Sequence, residues 1–498
     1  MKSFNTKSSA RWSRRNFLKT ATLASGAVVF GVPTLLRAQN LNSKLNIASI
    51  GAFGGKGQSD TDCCAGENIV ALCDVDSGRG AKQMAKYPQA KYFKDYREMF
   101  DQLGSGIDAV TVSTPDHFHA IAISHAMRLG KHVYGQKPLT QTIYEARYLR
   151  DLARHSGVVT QMGNQGSSAD GLRRAVECIQ AGVIGQVREV HIWTNRPVWP
   201  QGLDRPDGED PIPAGLDWDL WIGPAPMRPF KEGVYHPFNW RGWQDFGTGA
   251  LGDMACHTVN MPFRGLHLGY PTEIEAEALG AMNRETYPIG SKIRFEFPAR
   301  KSKVAAAHRS FFHHHDTLEQ SPVTLNWYDG GQPDASAEHG HDYSNKPPHE
   351  LLTDIEAFRG EVPNSACLLI GSQGQIFSPD DYGEEFFVKL HDDEKYRHYK
   401  KHPAVEAVSQ TIPRNPFKGS SDERHHLEWL DAIKRGKPEL CYSRFEVAAQ
   451  LTEIMLLGCV ALRAGRKIEW DGPNMRALNA PETAPLIQRV NRGDWHLS

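Results

Sequence analysis

The chain has 498 residues, enough for two or three domains with a large core. Its 57 lysines and arginines balance 58 aspartates and glutamates, a formal charge of −1 with no basic run, so the composition argues against a nucleic-acid binder. The 8 cysteines are scattered without a C-x-x-C pair, which speaks against a zinc or dithiol site and against a disulfide framework.

In chain order, Ser13-Arg14-Arg15-Asn16-Phe17-Leu18-Lys19 precedes a moderately apolar stretch, Ala21–Leu36, and a Leu36-Arg37-Ala38 cleavage pattern. This has the form of a twin-arginine export signal, so residues 1–40 read as a leader and the rest as a periplasmic or otherwise exported protein. The stretch is short for a membrane span and contains Gly26, Gly31 and Pro33. No later segment is expected to cross a membrane. The twin-arginine export machinery carries folded proteins, so the chain is expected to fold before export.

Lys44–Asp76 is the informative stretch that follows. Leu45, Ile47 and Ile50 mark a buried strand, and glycines cluster at Gly51, Gly54, Gly55 and Gly57. A helix-length segment leads to a second apolar run, Ile69–Cys73, which ends on Asp74. Strand, glycine turn, helix, strand and terminal acid form a dinucleotide-binding unit: the glycines admit a pyrophosphate to the backbone, helix N–H groups hold it, and the acid accepts ribose hydroxyls. The spacing departs from G-x-G-x-x-G, because Ala52 holds the first place unless one residue is inserted after Gly51. Asp74 favours NAD, while Arg79 leaves NADP open.

Alternating patterns continue to about residue 165. Helices are expected at Lys82–Tyr87, Tyr96–Leu103, from His117 to Leu129, and at Thr142–Ser156; strands at Ala90–Phe93, Asp108–Thr114, Lys131–Gly135 and Val158–Met162. This predicts an α/β fold whose N-terminal domain, 41–165, is a doubly wound parallel sheet with ligands at its carboxyl edge. Thr114, Pro115 and His117 follow one strand, and Gln136, Lys137 and Pro138 follow the next, so both turns border the cofactor crevice. Lys137 there either holds a substrate oxygen or is a surface lysine before a turn.

The combination resembles the glucose–fructose oxidoreductase and inositol dehydrogenase family. The resemblance implies a C-terminal α/β domain with a mostly antiparallel open sheet, placed at 166–475 with a tail at 476–498. It also implies that Lys137, in the place of the family's E-K-P lysine, contacts nicotinamide and substrate; Gln136 stands where that motif has glutamate, which alters the local hydrogen bonding.

In the second part, Leu172–Ala181 reads as a helix and Val187–Thr194 as a strand. Pro197–Phe230 is rich in Pro, Gly and Trp, and reads as either a proline-stiffened cover or a lid with aromatic faces for a sugar ring. Asn164 and, further on, Tyr235, His236, Trp240 and Arg241 are candidate substrate contacts. Asp253 and His257 lie four apart, on one face of a helix: an acid that orients an imidazole, or a cap and a core histidine. The family resemblance makes Lys137, Asp253 and His257 the catalytic set, with Asn260 where relatives often carry an acid. His313-His314-His315, with His339 and His341, lack the spacing of a buried metal site, so no metal is expected. Further strands are expected at Glu273–Leu279, Lys292–Phe297, Val323–Tyr328 and Lys467–Trp470, a hairpin at Cys367–Phe377, and helices at His425–Lys434 and Phe445–Leu462.

The expected activity is NAD(P)-dependent oxidoreduction of a carbohydrate: a sugar, cyclic polyol or glycoside hydroxyl. The cofactor is expected to be tightly retained, since free nicotinamide nucleotide is scarce outside the cytoplasm. The alternatives are a glycosidase or lyase that oxidises sugar carbon 3 transiently, and a binding protein that kept the fold. By the resemblance, a homo-oligomer is expected.

Overall fold

The computed structural model describes residues 43–306, 308 and 317–497. The leader motif and His313–His315 lie outside them.

The first domain is a six-stranded parallel sheet: β1 Asn46–Ile50, β2 Asn68–Cys73, β3 Lys91–Phe93, β4 Ala109–Val112, β5 His132–Gly135 and β6 Thr160–Met162. Their spatial order, β3-β2-β1-β4-β5-β6, reverses between β1 and β4. An open α/β sheet has its ligand crevice outside the strand ends at such a reversal. Every residue of β4 is buried, as a strand covered on both faces must be. The helix Ile143–Ser156 starts at a capping box, where the Thr142 hydroxyl accepts from Glu145 N–H and the Glu145 carboxylate from Thr142 N–H, and it stops at left-handed Gly157.

The second domain is built on a ten-stranded sheet. Its strands in chain order are β7 Val187–Thr194, β8 Glu273–Leu279, β9 Gly290–Phe297, β12 Val323–Asp329, β13 Ala366–Gly371, β14 Gly374–Ser378, β15 Phe387–Leu390, β16 Arg397–His398, β17 Ile468–Asp471 and β18 Arg476–Ala477. β10 Arg300–Lys303 and β11 Thr317–Gln320 form a separate hairpin. The spatial order is β16-β15-β14-β13-β7-β12-β9-β8-β17-β18, with only β7 and β12 parallel. A parallel Rossmann sheet joined to a mixed, mostly antiparallel sheet is the expected fold class.

Two helices tie the domains together. Phe445–Ala464 puts Phe445, Ala448 and Ala449 into the first domain's core and Leu451 to Leu462 into the second's. By length and composition this helix could cross a membrane, contrary to expectation, but 83% of its apolar window is buried inside the protein. The helix Ser421–Arg435 begins at a Ser420–Glu423 capping box and ends at left-handed Gly436. It packs Trp429, Leu430 and Ile433 against Ile47, Leu72 and Tyr134. Removing the fully buried Trp429 ring would cost about 3–5 kcal/mol.

Candidate functional site

A cavity opens at the carboxyl ends of β1, β2, β4 and β5. Gly51, Gly54, Gly55 and Gly57 line it, with Asp74, Arg79, Thr114, Pro115, Gln136, Lys137 and Asp253. The turn needs its glycines. Gly51 has φ 74°, and a Cβ on Gly57 would lie 1.7 Å from the Gly51 carbonyl oxygen. The nine-residue helix Gly55–Cys63 starts at this turn with no side chain capping its N-terminus, so its first N–H groups remain for an anion. Thr114 Oγ1 is buried without a partner among the described residues. Asp74 accepts from Phe53 N–H at 2.8 Å and Asp76 N–H at 3.0 Å. Burial outweighs these donors and pushes its carboxyl up to about 6. An uncapped glycine turn, an orphaned hydroxyl and an acid at the end of β2 fit a dinucleotide.

At the inner end, Lys137 Nζ donates to Asp253 Oδ1 at 2.8 Å and to the Asp253 carbonyl at 2.9 Å. Arg241 Nε is 3.5 Å from the same Oδ1. Burial would raise the Asp253 carboxyl, but the two cations outweigh it and hold it below the usual range. Asp253 and His257 lie on the helix Gly249–Thr258. Asp253 is thus bound to Lys137, not to His257. His257 is buried one turn further on, outside the cavity wall, with its ring edge-on to Tyr382 at 5.0 Å. Its Nδ1 has no partner among the described residues. Burial and the Lys137 charge keep this imidazole neutral, well below its ordinary pKa. Asp116 adds a second buried acid, bonded to Thr248 Oγ1 at 2.8 Å; burial and Asp253 push it up to about 7.

Residues 45–164 match the family model described as an oxidoreductase family with an NAD-binding Rossmann fold, and residues 191–279 match that family's C-terminal alpha/beta domain. Both segments match models of the Gfo/Idh/MocA family. Among curated relatives, scyllo-inositol 2-dehydrogenase (NAD(+)) of Bacillus subtilis is 27% identical over 146 residues, 29% of this chain and 39% of the relative. Inositol 2-dehydrogenase of Salmonella typhimurium is 26% identical over 151 residues, 30% of this chain and 44% of the relative. The chain therefore spans less than half the length of these relatives. Solved structures extend the likeness in fold. An Azotobacter vinelandii inositol dehydrogenase homolog, complexed with NADH and myo-inositol, superposes with TM-score 0.55 at 16% identity, covering 87% of this chain and 100% of that one. A levoglucosan dehydrogenase complex with NADH and levoglucosan gives 0.53 at 16%, covering 86% and 99%.

In this chain, His236, Trp240 and Arg241 line the cavity, as does Trp221. His117, Asn164 and Tyr235 do not. His117 is fully buried, its ring nitrogens 3.1 Å from the Trp221 carbonyl and 3.3 Å from the Phe246 carbonyl, and burial pushes it down to about 3. Asn164 donates to the Cys256 carbonyl, and Tyr235 packs edge-on to Trp243. Asn260 is tied to Ser167 and Arg264. His341 bonds the Pro197 carbonyl, and no metal-binding cluster occurs among the described residues.

The Trp-rich segment is a packed unit. Trp218, Trp221, Ile222, Phe230, Tyr235, Trp243 and Phe246 form their own small core. It is strapped to the Rossmann domain by Ser77 N–H to the Gly215 carbonyl, Asp217 N–H to the Val75 carbonyl, and His236 Nε2 at 2.8 Å from Asp76 Oδ2. The C-terminal tail closes the cavity from another side: Trp495 lines it, held by Tyr96, Phe118 and the Arg97 guanidinium, 4.1 Å from its ring. Sequence reading missed Trp495 and Asp60, which carry no local signal; it placed Asp116 in the polar turn after its strand, two residues beyond Thr114, but gave it no role.

Proposed function

We propose that this protein is an NAD-dependent oxidoreductase acting on a hydroxyl of a sugar, cyclic polyol or glycoside. The observation that carries the reading is the Lys137 ammonium at the inner end of the nucleotide cleft, fixed 2.8 Å from Asp253 of the second domain. The relatives named for inositol and levoglucosan support the substrate class.

The Gly51–Gly57 turn would hold the pyrophosphate and Asp74 the adenosine ribose. When bound, nicotinamide supplies a hydride acceptor or donor. Lys137 donates a hydrogen bond to the reacting oxygen and offsets the negative charge that grows there. Asp253 orients that ammonium. His257, neutral near physiological pH and lying behind the cavity wall, would take the hydroxyl proton of a substrate that reaches past Asp253, and in the reverse direction return it. Asp74 favours NAD; Arg79 beside Gly54 is the feature that would accommodate a 2′-phosphate.

The leader motif supports export by the twin-arginine route, and the strap and Trp495 support retention of the nucleotide. Purified protein incubated with a carbohydrate panel tests the activity: a substrate-dependent change in reduced-nicotinamide absorbance with formation of the keto product is expected. Bond cleavage with no net NADH would shift the reading to redox-assisted elimination. Retention is tested by denaturing protein purified from the periplasm. Absence of any released nicotinamide nucleotide, with none rebinding, defeats it.

A further inference from the structure

The departure of Gln136 from glutamate has a partner elsewhere in the chain. Asp60, on the helix Gly55–Cys63, is fully buried. Its Oδ2 accepts from Gln136 Nε2 at 2.8 Å and from Ser113 Oγ at 2.7 Å. With its amide nitrogen turned to Asp60, Gln136 points Oε1 at the Lys137 N–H, 3.2 Å away. The other carboxylate oxygen, Oδ1, faces His426 Nε2 at 3.4 Å and Lys56 Nζ at 3.7 Å. His426 comes from the helix Ser421–Arg435 and is fully buried, stacked on Tyr134 at 3.9 Å. Its Nδ1 lies 2.8 Å from the Asp422 carbonyl, so that nitrogen carries a proton. A neutral ring would then set a lone pair on Nε2 against the Asp60 carboxylate. An imidazolium facing the carboxylate satisfies this contact.

We infer that Asp60 is a positioning residue for Lys137: ion-paired to His426 from the second domain, it fixes the Gln136 amide, which in turn holds the backbone of Lys137 where its side chain meets Asp253. The box takes one carboxylate. Glutamate at 136 would put a second one against Asp60, and two carboxylates this close share a proton. The box is also faced by Cys63, Cys64, His119 and Tyr134, with Asp422 and Lys137 near. Among the described residues, Asp60 is the one side chain bonded to the Gln136 amide; the Lys137 contact to it is through backbone N–H.

The inference rests on the proposed oxidoreductase reading for its kinetic arm alone. The test compares Gln136→Glu, Asp60→Asn and the double variant with the unaltered holoenzyme. For Gln136→Glu, kcat at about pH 8 is expected to fall about 10-fold or more and to recover toward about pH 6, as the shared proton returns. NAD affinity, read by titration at both pH values, separates loss of the nucleotide from loss of the chemistry. Asp60→Asn with Gln136→Glu restores a single carboxylate, and should recover kcat to within about 3-fold and lose the pH dependence. A merely structural role would lower melting temperature without a pH-dependent kcat. The inference is overturned if Gln136→Glu matches the unaltered enzyme at about pH 8, or if the double variant is no better than the worse single. If Gln136→Glu does not fold, or no substrate turns over, the melting temperatures decide: the double variant must melt above Gln136→Glu, and a failure to do so overturns the inference. Absent turnover by the unaltered enzyme counts against the oxidoreductase reading and leaves that thermal comparison intact.

Discussion

Lys137 and Asp253 are 116 residues apart in the chain and 2.8 Å apart in space. One closes a strand of the nucleotide-binding sheet, and the other sits in the first half of a helix in the second domain. Side-chain exposures of 18% and 10% leave both reachable from the cleft and still largely desolvated. The pair should therefore be worth more than a surface ion pair. On the proposed reading Lys137→Ala removes the charge facing the reacting oxygen, and kcat should drop by about 10³-fold. Asp253→Asn keeps the shape but loses the charge that orients the ammonium, and kcat should drop by about 10–100-fold. Steady-state rates on the substrate found by the carbohydrate panel measure both. A Lys137→Ala enzyme within about 10-fold of normal removes the lysine from the chemistry.

His257 has a different pH signature. Burial and the Lys137 charge hold its imidazole well below its ordinary value, so it is already the free base at neutral pH. Its protonation should cut activity only below about pH 6.5, leaving kcat/KM flat through neutrality on the acid side. His257→Gln should lower kcat by about 10²–10⁴-fold and abolish any acid limb that belongs to the imidazole. An acid limb centred near about pH 6.5 that survives the substitution belongs to another group.

Asp74 should make nucleotide affinity pH-dependent. Its carboxyl is pushed up to about 6, chiefly by burial, and ribose hydroxyls donate best to the carboxylate. As pH falls through about 6 the acid takes a proton and NAD binding weakens; above that it is strong. Titrations should show Kd rising about 3–10-fold between about pH 7.5 and about pH 5. Asp74→Asn should bind more weakly throughout and lose that slope. An unaltered slope assigns it to a different group.

The parts legible in the sequence were those with a local signature. Lys137 follows an apolar strand, Asp74 ends one, and Asp253 lies one turn before His257 on a helix; the acid, however, meets Lys137 and not the imidazole its spacing pointed to. The strands Val187–Thr194 and Glu273–Leu279 and the helix Tyr96–Leu103 have the bounds their patterns predict. What was not legible depends on contacts across the chain. Asp60 meets Gln136 76 residues away, and His426 meets Asp60 from another domain. Neither neighbourhood signals the other. Tyr235 and His117 failed to reach the cavity because apolar neighbours and backbone carbonyls claimed them first. The tryptophans of Pro197–Phe230 suggested aromatic faces for a ligand, yet Trp218 stacks on Trp221 at 4.6 Å, Trp199 packs edge-on to Phe238, and of the three only Trp221 lines the cavity.

The Asp60–His426 pair should be visible in stability as well as in kinetics. Burial alone would lower His426, but Asp60 outweighs it and raises the imidazole to about 9, above its ordinary value of 6.5. Burial alone would raise Asp60, but His426 and Lys56 hold it below 3.8. A histidine whose folded pKa is raised contributes stability that is complete below the unfolded value and is lost as pH rises through the folded one. A carboxyl whose folded pKa is depressed contributes above its unfolded value and fails as pH falls through its folded one. The pair is therefore fully effective from about pH 4 to about pH 6.5, and weakens toward about pH 9 by the order of 3 kcal/mol. The unfolding free energy from denaturant titration should decline across that upper window. His426→Gln should flatten the decline, and it should cost about 3–5 kcal/mol near neutral pH because it leaves the Asp60 charge buried beside Lys56 alone. Adding Asp60→Asn to it should recover part of that loss. If His426→Gln keeps the slope of the unaltered protein between about pH 6.5 and about pH 9, the imidazole at this site is not the cation that holds Asp60.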